Sequence, residues 1–339
     1  MDIKKSIRYA ASLLMAVAMV AVAEWSAEPE ILFPEMVALT IGLWIVDKRV
    51  WRAGRFQIIG LMTLGATAGL CLALYSPFPP PVNFCLAFAF AGICLLITCT
   101  TLIPLLSACM LPVLLHTQSW IYPAAVCAMS AIVVTGQKIM EHYGLRRRTE
   151  FTPGNAPGKK EIRQWLGLLG SIIPAVILSN ITGCPYLVIP PLIVTFAEMV
   201  FSKAGFRYRP VQVFLILAAA ATIGSMAQLF GYYMLHLPQW VVALVIAITL
   251  FSLFELAGKF FAPAGALAFI PMLMPQEALV WLPIQASAGA ALFITVALVL
   301  FMRCYRWTPA QLVFCLTPAP VREYIGRTWR TEERRNRTK

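Results

Sequence analysis

With 339 residues, 60% of them hydrophobic and only 12% charged, the chain has more apolar surface than a soluble protein of its size can bury. Its long apolar runs are continuous, not alternating, which excludes an outer-membrane barrel and points to many membrane-crossing helices. The net charge of +12 does not mark a nucleic-acid binder: no recognised reading motif interleaves aromatics with the basic tracts.

All 27 Lys and Arg fall in six clusters: Lys4–Arg8, Lys48–Arg55, Lys138–Arg163, Lys203–Arg209, Lys259 alone, and Arg303–Lys339. The connections between them carry no basic residue: EWSAEPE (24–30), YSPFPPPVN (75–83), HTQSW (116–120), NITGCPY (180–186), LHLPQW (235–240) and MPQEALVW (274–281). Strict alternation of basic and non-basic connections is the positive-inside pattern. It predicts a plasma-membrane protein of the bacterial inner-membrane type, with both termini cytoplasmic and lipid head groups as contacts.

Taken in chain order, that alternation predicts twelve crossings near 6–23, 31–47, 56–75, 84–100, 102–115, 121–140, 165–180, 187–202, 211–234, 239–256, 261–274 and 279–302. The first has the basic start and Ala21-Val22-Ala23 of a signal peptide. However, its Ile7-Arg8…Leu13-Leu14 recurs as Ile162-Arg163…Leu168-Leu169, so a retained span is expected. The fifth and eleventh, TLIPLLSACMLPVLLHTQ (101–118) and FFAPAGALAFIPMLMPQ (260–276), are short and bracketed by proline.

The same offset of 155 takes Gln57 onto Gln212, and ILFPEMVALTIGLWIVDKRV (31–50) resembles YLVIPPLIVTFAEMVFSKAG (186–205). Pro104, Pro112 and Pro123 are echoed by Pro263, Pro271 and Pro283. Gly65 and Gly69 answer Gly224 only loosely. The expected fold is therefore all-α, a polytopic transmembrane bundle of two tandem six-segment repeats with about 10–12 spans. The first repeat covers 1–140 and a polar Gly/Pro-rich cytoplasmic linker 141–164; the second repeat covers 165–302 and a basic cytoplasmic tail 303–339.

Proline inside a helix frees backbone carbonyls that lipid cannot satisfy, so broken helices belong where protein or a water-lined cavity shelters them. Two such segments at matching positions predict a solute site at the repeat interface. The candidate residues are Thr101, Pro104, Ser107 and Pro112 in the fifth segment and Pro263, Gly265 and Pro271 in the eleventh, with Gln285 beyond it. Among the few intramembrane charges, Glu35 follows Pro34, and Glu255 and Lys259 are spaced i, i+4 just before the eleventh segment. Lys259 is the candidate attractor of an anionic solute, with Glu255 holding it, whereas Glu198 lies towards a segment end where a carboxylate reaches the nearer interface.

The nine cysteines and three histidines are scattered, so neither a metal site nor a disulfide framework is expected. No catalytic constellation and no phosphate loop is visible, which predicts neither a cofactor nor enzymatic activity.

Residues PAGALAFIPMLMPQEALVWLPIQASAGAALFITVALVLF (263–301) resemble the end of the HPP membrane family, IPPLIVTFAEMV (189–200) its Ile-Pro-Ser-Leu-Gly region, and Arg209-Pro210 its Arg-Asn-Pro loop. A weaker copy covers 31–135, and the His-Pro-Pro triplet reads Phe261-Ala262-Pro263 here. This resemblance implies a small-anion transporter, some members being associated with nitrite transport. The first 75 residues are similar to fusaric-acid-resistance or aromatic-acid exporters, whose soluble domains have no counterpart in the sequence.

The expected function is a transporter or channel for a small anionic solute. The alternatives are an exporter of aromatic acids, or a membrane scaffold or accessory subunit holding a partner through its basic tail. The sequence leaves a homo-oligomer open.

Overall fold

The structure, a computed structural model, describes residues 3–148, 156–201, 209–301, 317 and 321. Every regular element among the described residues is helical. In chain order they are α1 (Ile3–Ser26), α2 (Glu35–Thr40, continuing as a π turn over Ile41–Ile45), α3 (Arg55–Tyr75), α4 (Pro80–Ile97), α5 (Pro104–Leu115) and α6 (Ile121–His142). There follow α7 (Lys159–Thr182), α8 (Pro190–Phe201), α9 (Pro210–Met226, extended by Ala227–Met234), α10 (Gln239–Ala257), α11 (Ala262–Phe269, then a 3-10 turn Ile270–Leu273) and α12 (Gln276–Val296, extended by Ala297–Phe301). Eight of them, α1, α3, α4, α6, α7, α9, α10 and α12, are long and apolar enough to cross a membrane. The chain is a multi-pass helical membrane protein. Linker residues 149–155, residues 202–208, residue 302 and, apart from 317 and 321, the basic tail expected to hold a partner lie outside the described residues.

Four segments are short, where the sequence led us to expect two. Besides α5 and α11, α2 has only 6 α-helical residues before its 5-residue π turn, and α8 has 12 residues. The reason is the same in each case. Proline at a helix start has a fixed φ and no N–H to leave unsatisfied, so the helix begins there. Pro34 sets the start of α2 and Pro190-Pro191 that of α8; the residues before them form only 3-10 turns, Pro29–Ile31 and Pro185–Val188. The 12 residues of α5 span about 18 Å, well short of a ~30 Å hydrocarbon core.

The two ends of the bundle differ in chemistry. At one end, Lys4 Nζ donates to Gly144 O (3.0 Å), Arg8 pairs with Asp47, and Glu141 accepts from Arg55 (2.6 Å), Arg146 (2.9 Å) and Gln137 (2.7 Å). This knot joins the start of α1, the α2–α3 connection and the end of α6. It also satisfies the terminal carbonyls of α2: Arg8 donates to Trp44 O (3.3 Å) and Ile45 O (3.2 Å), and Arg146 to Val46 O (3.1 Å). Two cations at a helix C-terminus also suit its dipole. At the other end, Glu24 accepts from Gln239 N (2.9 Å) and Trp240 N (3.2 Å), while Glu30 accepts from Gln118 N (3.0 Å) and Ser119 N (2.9 Å). Carboxylates thus serve the exposed amides of the non-basic connections. The chain therefore runs from end to end through α2 and again through α5, short as both are.

Burial separates two shells. Every residue of α11, of α2 with its π turn, and of α8 up to Val200 is buried, as is α5 from Pro104 to Val113. The long helices surround them and turn large apolar side chains such as Leu14, Ile97, Ile181 and Ile284 outward. Broken backbone is thereby kept away from lipid. Glycines on the long helices allow close approach between the shells, as two positions show. A Cβ at Gly69 of α3 would lie 2.0 Å from the Cys109 carbonyl oxygen of α5, and one at Gly224 of α9 would lie 2.1 Å from that of Ala268 on α11.

Candidate functional site

The four short helices enclose a common cavity lined by Glu35 and Ala38 of α2, Pro104 and Ser107 of α5, Pro191, Val194 and Glu198 of α8, and Ala262, Pro263 and Ala266 of α11. It is small, about 10 Å³, roughly the room one water or one dehydrated ion needs. Prolines and alanines make most of its wall, because a helix that starts at membrane depth needs the first and close packing of four helices needs the second.

Two buried glutamates are among the lining residues. Glu35 is the first residue of α2 and 1% exposed. Ser107 Oγ donates a hydrogen bond to its Oε1, while its Oε2 has no partner among the described residues. Glu198, 5% exposed, accepts from Trp51 Nε1 at 3.3 Å. Trp51 comes from the α2–α3 connection, and its buried ring occupies the place where a side chain at position 42 would be: a Cβ on Gly42 would lie 2.5 Å from the ring. Arg49 steadies that loop through Trp51 O (3.3 Å) and Ala53 O (2.8 Å). Among the described residues no lysine or arginine lines the cavity. The surface open to the cavity is apolar, with two glutamates among the residues that form its wall.

Of the residues singled out from the sequence, Glu35, Pro104, Ser107 and Pro263 line the cavity. The other candidates do not. Gly265 faces Ile41 and Val37, letting α2 lie against α11. Pro271 packs on Gly224, and Pro112 is buried inside α5. Thr101 Oγ1 accepts from Arg52 N (2.8 Å), which ties the α4–α5 connection to the α2–α3 connection. Gln285 accepts from Tyr186 N (3.0 Å) and clamps α12 to the turn before α8.

Glu255 belongs to the bundle's basic end, where it takes Lys5 (2.7 Å) and a hydrogen bond from Tyr9. Lys259 follows the left-handed Gly258 (φ 64°) that ends α10, and its N–H bonds Phe254 O (3.1 Å). Spacing of i, i+4 places two residues on one helix face without saying which neighbour that face meets.

The sequence reading missed Ala38, Pro191, Val194, Ala262 and Ala266, and it set Glu198 at an interface. The Pro190-Pro191 pair was the available signal, since it starts α8 deep enough to bring Glu198 to the cavity. Among the described residues no group of three or more His, Cys, Asp and Glu is placed to hold a metal ion. In comparisons with known proteins, no family model, no curated sequence and no solved structure matches the chain.

Proposed function

We propose that the protein is a secondary transporter or channel built from two tandem six-helix repeats, with its solute passing through the cavity where they meet. The observation that carries this reading is the convergence of four proline-started short helices on one cavity with two glutamates among its lining residues.

The repeat reading is supported by paired contacts between the halves. α1 packs on α10 as α7 packs on α4, and α2 packs on α11 as α8 packs on α5. Gly69 and Gly224, 155 positions apart, meet the carbonyls of Cys109 and Ala268, which are 159 apart, as are Pro104 and Pro263. The positive-inside pattern favours a cytoplasmic basic end. Residues 189–200 and 263–301, which carry the HPP-like pattern, fall on α8, α11 and α12, two of which wall the cavity, and kinship with that family is part of the proposal.

Two glutamates and no lysine or arginine among the described lining residues favour a small cationic or neutral solute over the anion that the sequence pattern suggested. Purified protein in proteoliposomes, assayed for uptake and efflux across a panel of small anions, aromatic acids and small cations, tests the function. Protein-dependent flux of at least one species, lost when Ala38→Trp fills the cavity, is expected. Flux equal to that of empty vesicles across the panel would contradict the proposal.

A further inference from the structure

Glu35 poses a problem of charge. It lies at the start of a helix walled by α1, α5, α6 and α11. Ser107 is the one side-chain hydrogen-bond partner of its carboxyl group among the described residues, and Oε2 is unpartnered and fully buried in a residue that lines the cavity. An ionised carboxylate in such a place needs a positive charge or several donors, and an oxygen with neither is costly.

The surroundings provide no such charge. The titratable side chain of α5 is Cys109, and α11 has none. On α6, Tyr122 commits its hydroxyl to Ala108 O (3.2 Å), Cys127 carries a thiol, and Lys138, Glu141 and His142 lie in the last turns of the helix, away from Tyr122. α1 brings Lys4, Lys5, Arg8 and Tyr9 to the basic end, where Arg8 is held by Asp47 and the last carbonyls of α2, and Glu24 to the opposite end. From α8 comes a second carboxylate, Glu198. With two glutamates buried in the wall of one small cavity, ionising either is costly unless a positive charge comes from outside.

We propose that Glu35 Oε2 is a proton-exchange site: it takes one proton from water that reaches the cavity, becoming a carboxylic acid, and returns that proton to water when the carboxylate re-forms. This rests on the reading of the cavity as the transport site and makes the proton its coupling ion. A proton fits better than an alkali ion, because the wall is largely proline, alanine and valine side chains and gives few oxygens beyond Glu35, Ser107 and Glu198. Ser107 is a positioning residue: by occupying Oε1 it leaves Oε2 as the basic atom. Glu198 is placed similarly, with its Oε1 engaged by Trp51.

The test is covalent labelling of the full-length protein in detergent with dicyclohexylcarbodiimide, which reacts with buried carboxylic acids, read by peptide mass spectrometry. We expect an adduct on the Glu35 peptide that falls about tenfold per pH unit above its titration midpoint. Replacing choline with sodium should leave it unchanged, and Glu35→Gln should abolish it while preserving shape and the bond to Ser107. Ser107→Ala should shift the midpoint and keep the adduct.

No adduct at any pH, an adduct indifferent to pH, or protection by sodium would each overturn the proposal, the last in favour of an alkali-ion site. Labelling and flux fail separately. Flux without an adduct leaves the transporter and removes the proton site, whereas an adduct without flux for any solute does the reverse.

Discussion

Glu141 shows why a few charged residues can hold an apolar chain in one arrangement. Its side chain is 4% exposed and accepts from Arg146, itself 1% exposed, so the pair has little access to water. Removing one member leaves the other charged and buried, at a typical cost of about 3–5 kcal/mol. Glu141→Ala should therefore lower the thermal unfolding temperature in detergent sharply, and it should free the end of α2, since Arg146 also holds Val46 O.

Glu255→Ala, whose partner Lys5 is one-third exposed, should change stability by less than about 1 kcal/mol. Equal effects of the two substitutions would contradict this ranking. Trp51 is the third informative residue. Trp51→Ala removes the donor to Glu198 and a ring packed on Gly42, so a loss of about 3–5 kcal/mol is expected, with Trp51→Phe milder because it keeps most of the ring.

At the scale of elements, the close helix crossings make a sharper prediction. Gly69→Ala and Gly224→Ala each place a methyl group about 2 Å from a backbone carbonyl that cannot swing aside, so the inner helix must move. Each should cost about 1–3 kcal/mol, measured by thermal or chaotrope unfolding, and the double variant should lose more than either. Gly60→Ala is the control, because nothing lies within 4 Å of its Cβ position on α3; it should be neutral or stabilising by about 0.5–1 kcal/mol.

Element lengths were the less legible part of the sequence. The apolar run 31–47 satisfies hydropathy over a full span, so α2 reads as long unless Pro34 is given its stereochemical weight. The same holds for 187–202 and its two prolines. Proline shortens a helix without changing the hydropathy of the run, and hydropathy alone cannot register it. The segments that did declare themselves, around Pro104 and Pro263, have prolines near both ends.

For the whole molecule, the charge pattern was the more legible signal. Lys4, Arg8, Arg55 and Arg146 gather at one end, and Glu24 and Glu30 cap backbone amides at the other, as the alternation of connections required. As for the candidate site, the proline-broken segments of the sequence fall on α5 and α11, and Glu35 and Ser107 line the same cavity, whereas Glu255 lies at the basic end beside Lys5. Which faces of four packed helices look at one another is decided by close-packing contacts, such as Gly265 against Ile41, that a single sequence does not display.

The central claim is that the cavity among α2, α5, α8 and α11 communicates with water on both sides of the membrane. Cysteine accessibility measures this directly, in proteoliposomes of a variant without native cysteines. Ala38→Cys and Ala266→Cys should react with a small membrane-impermeant thiol reagent added from either side, and do so more slowly once a transported solute is present. Ala66→Cys, fully buried on α3, should stay unreactive. Cavity cysteines as inert as Ala66→Cys from both sides would contradict the account.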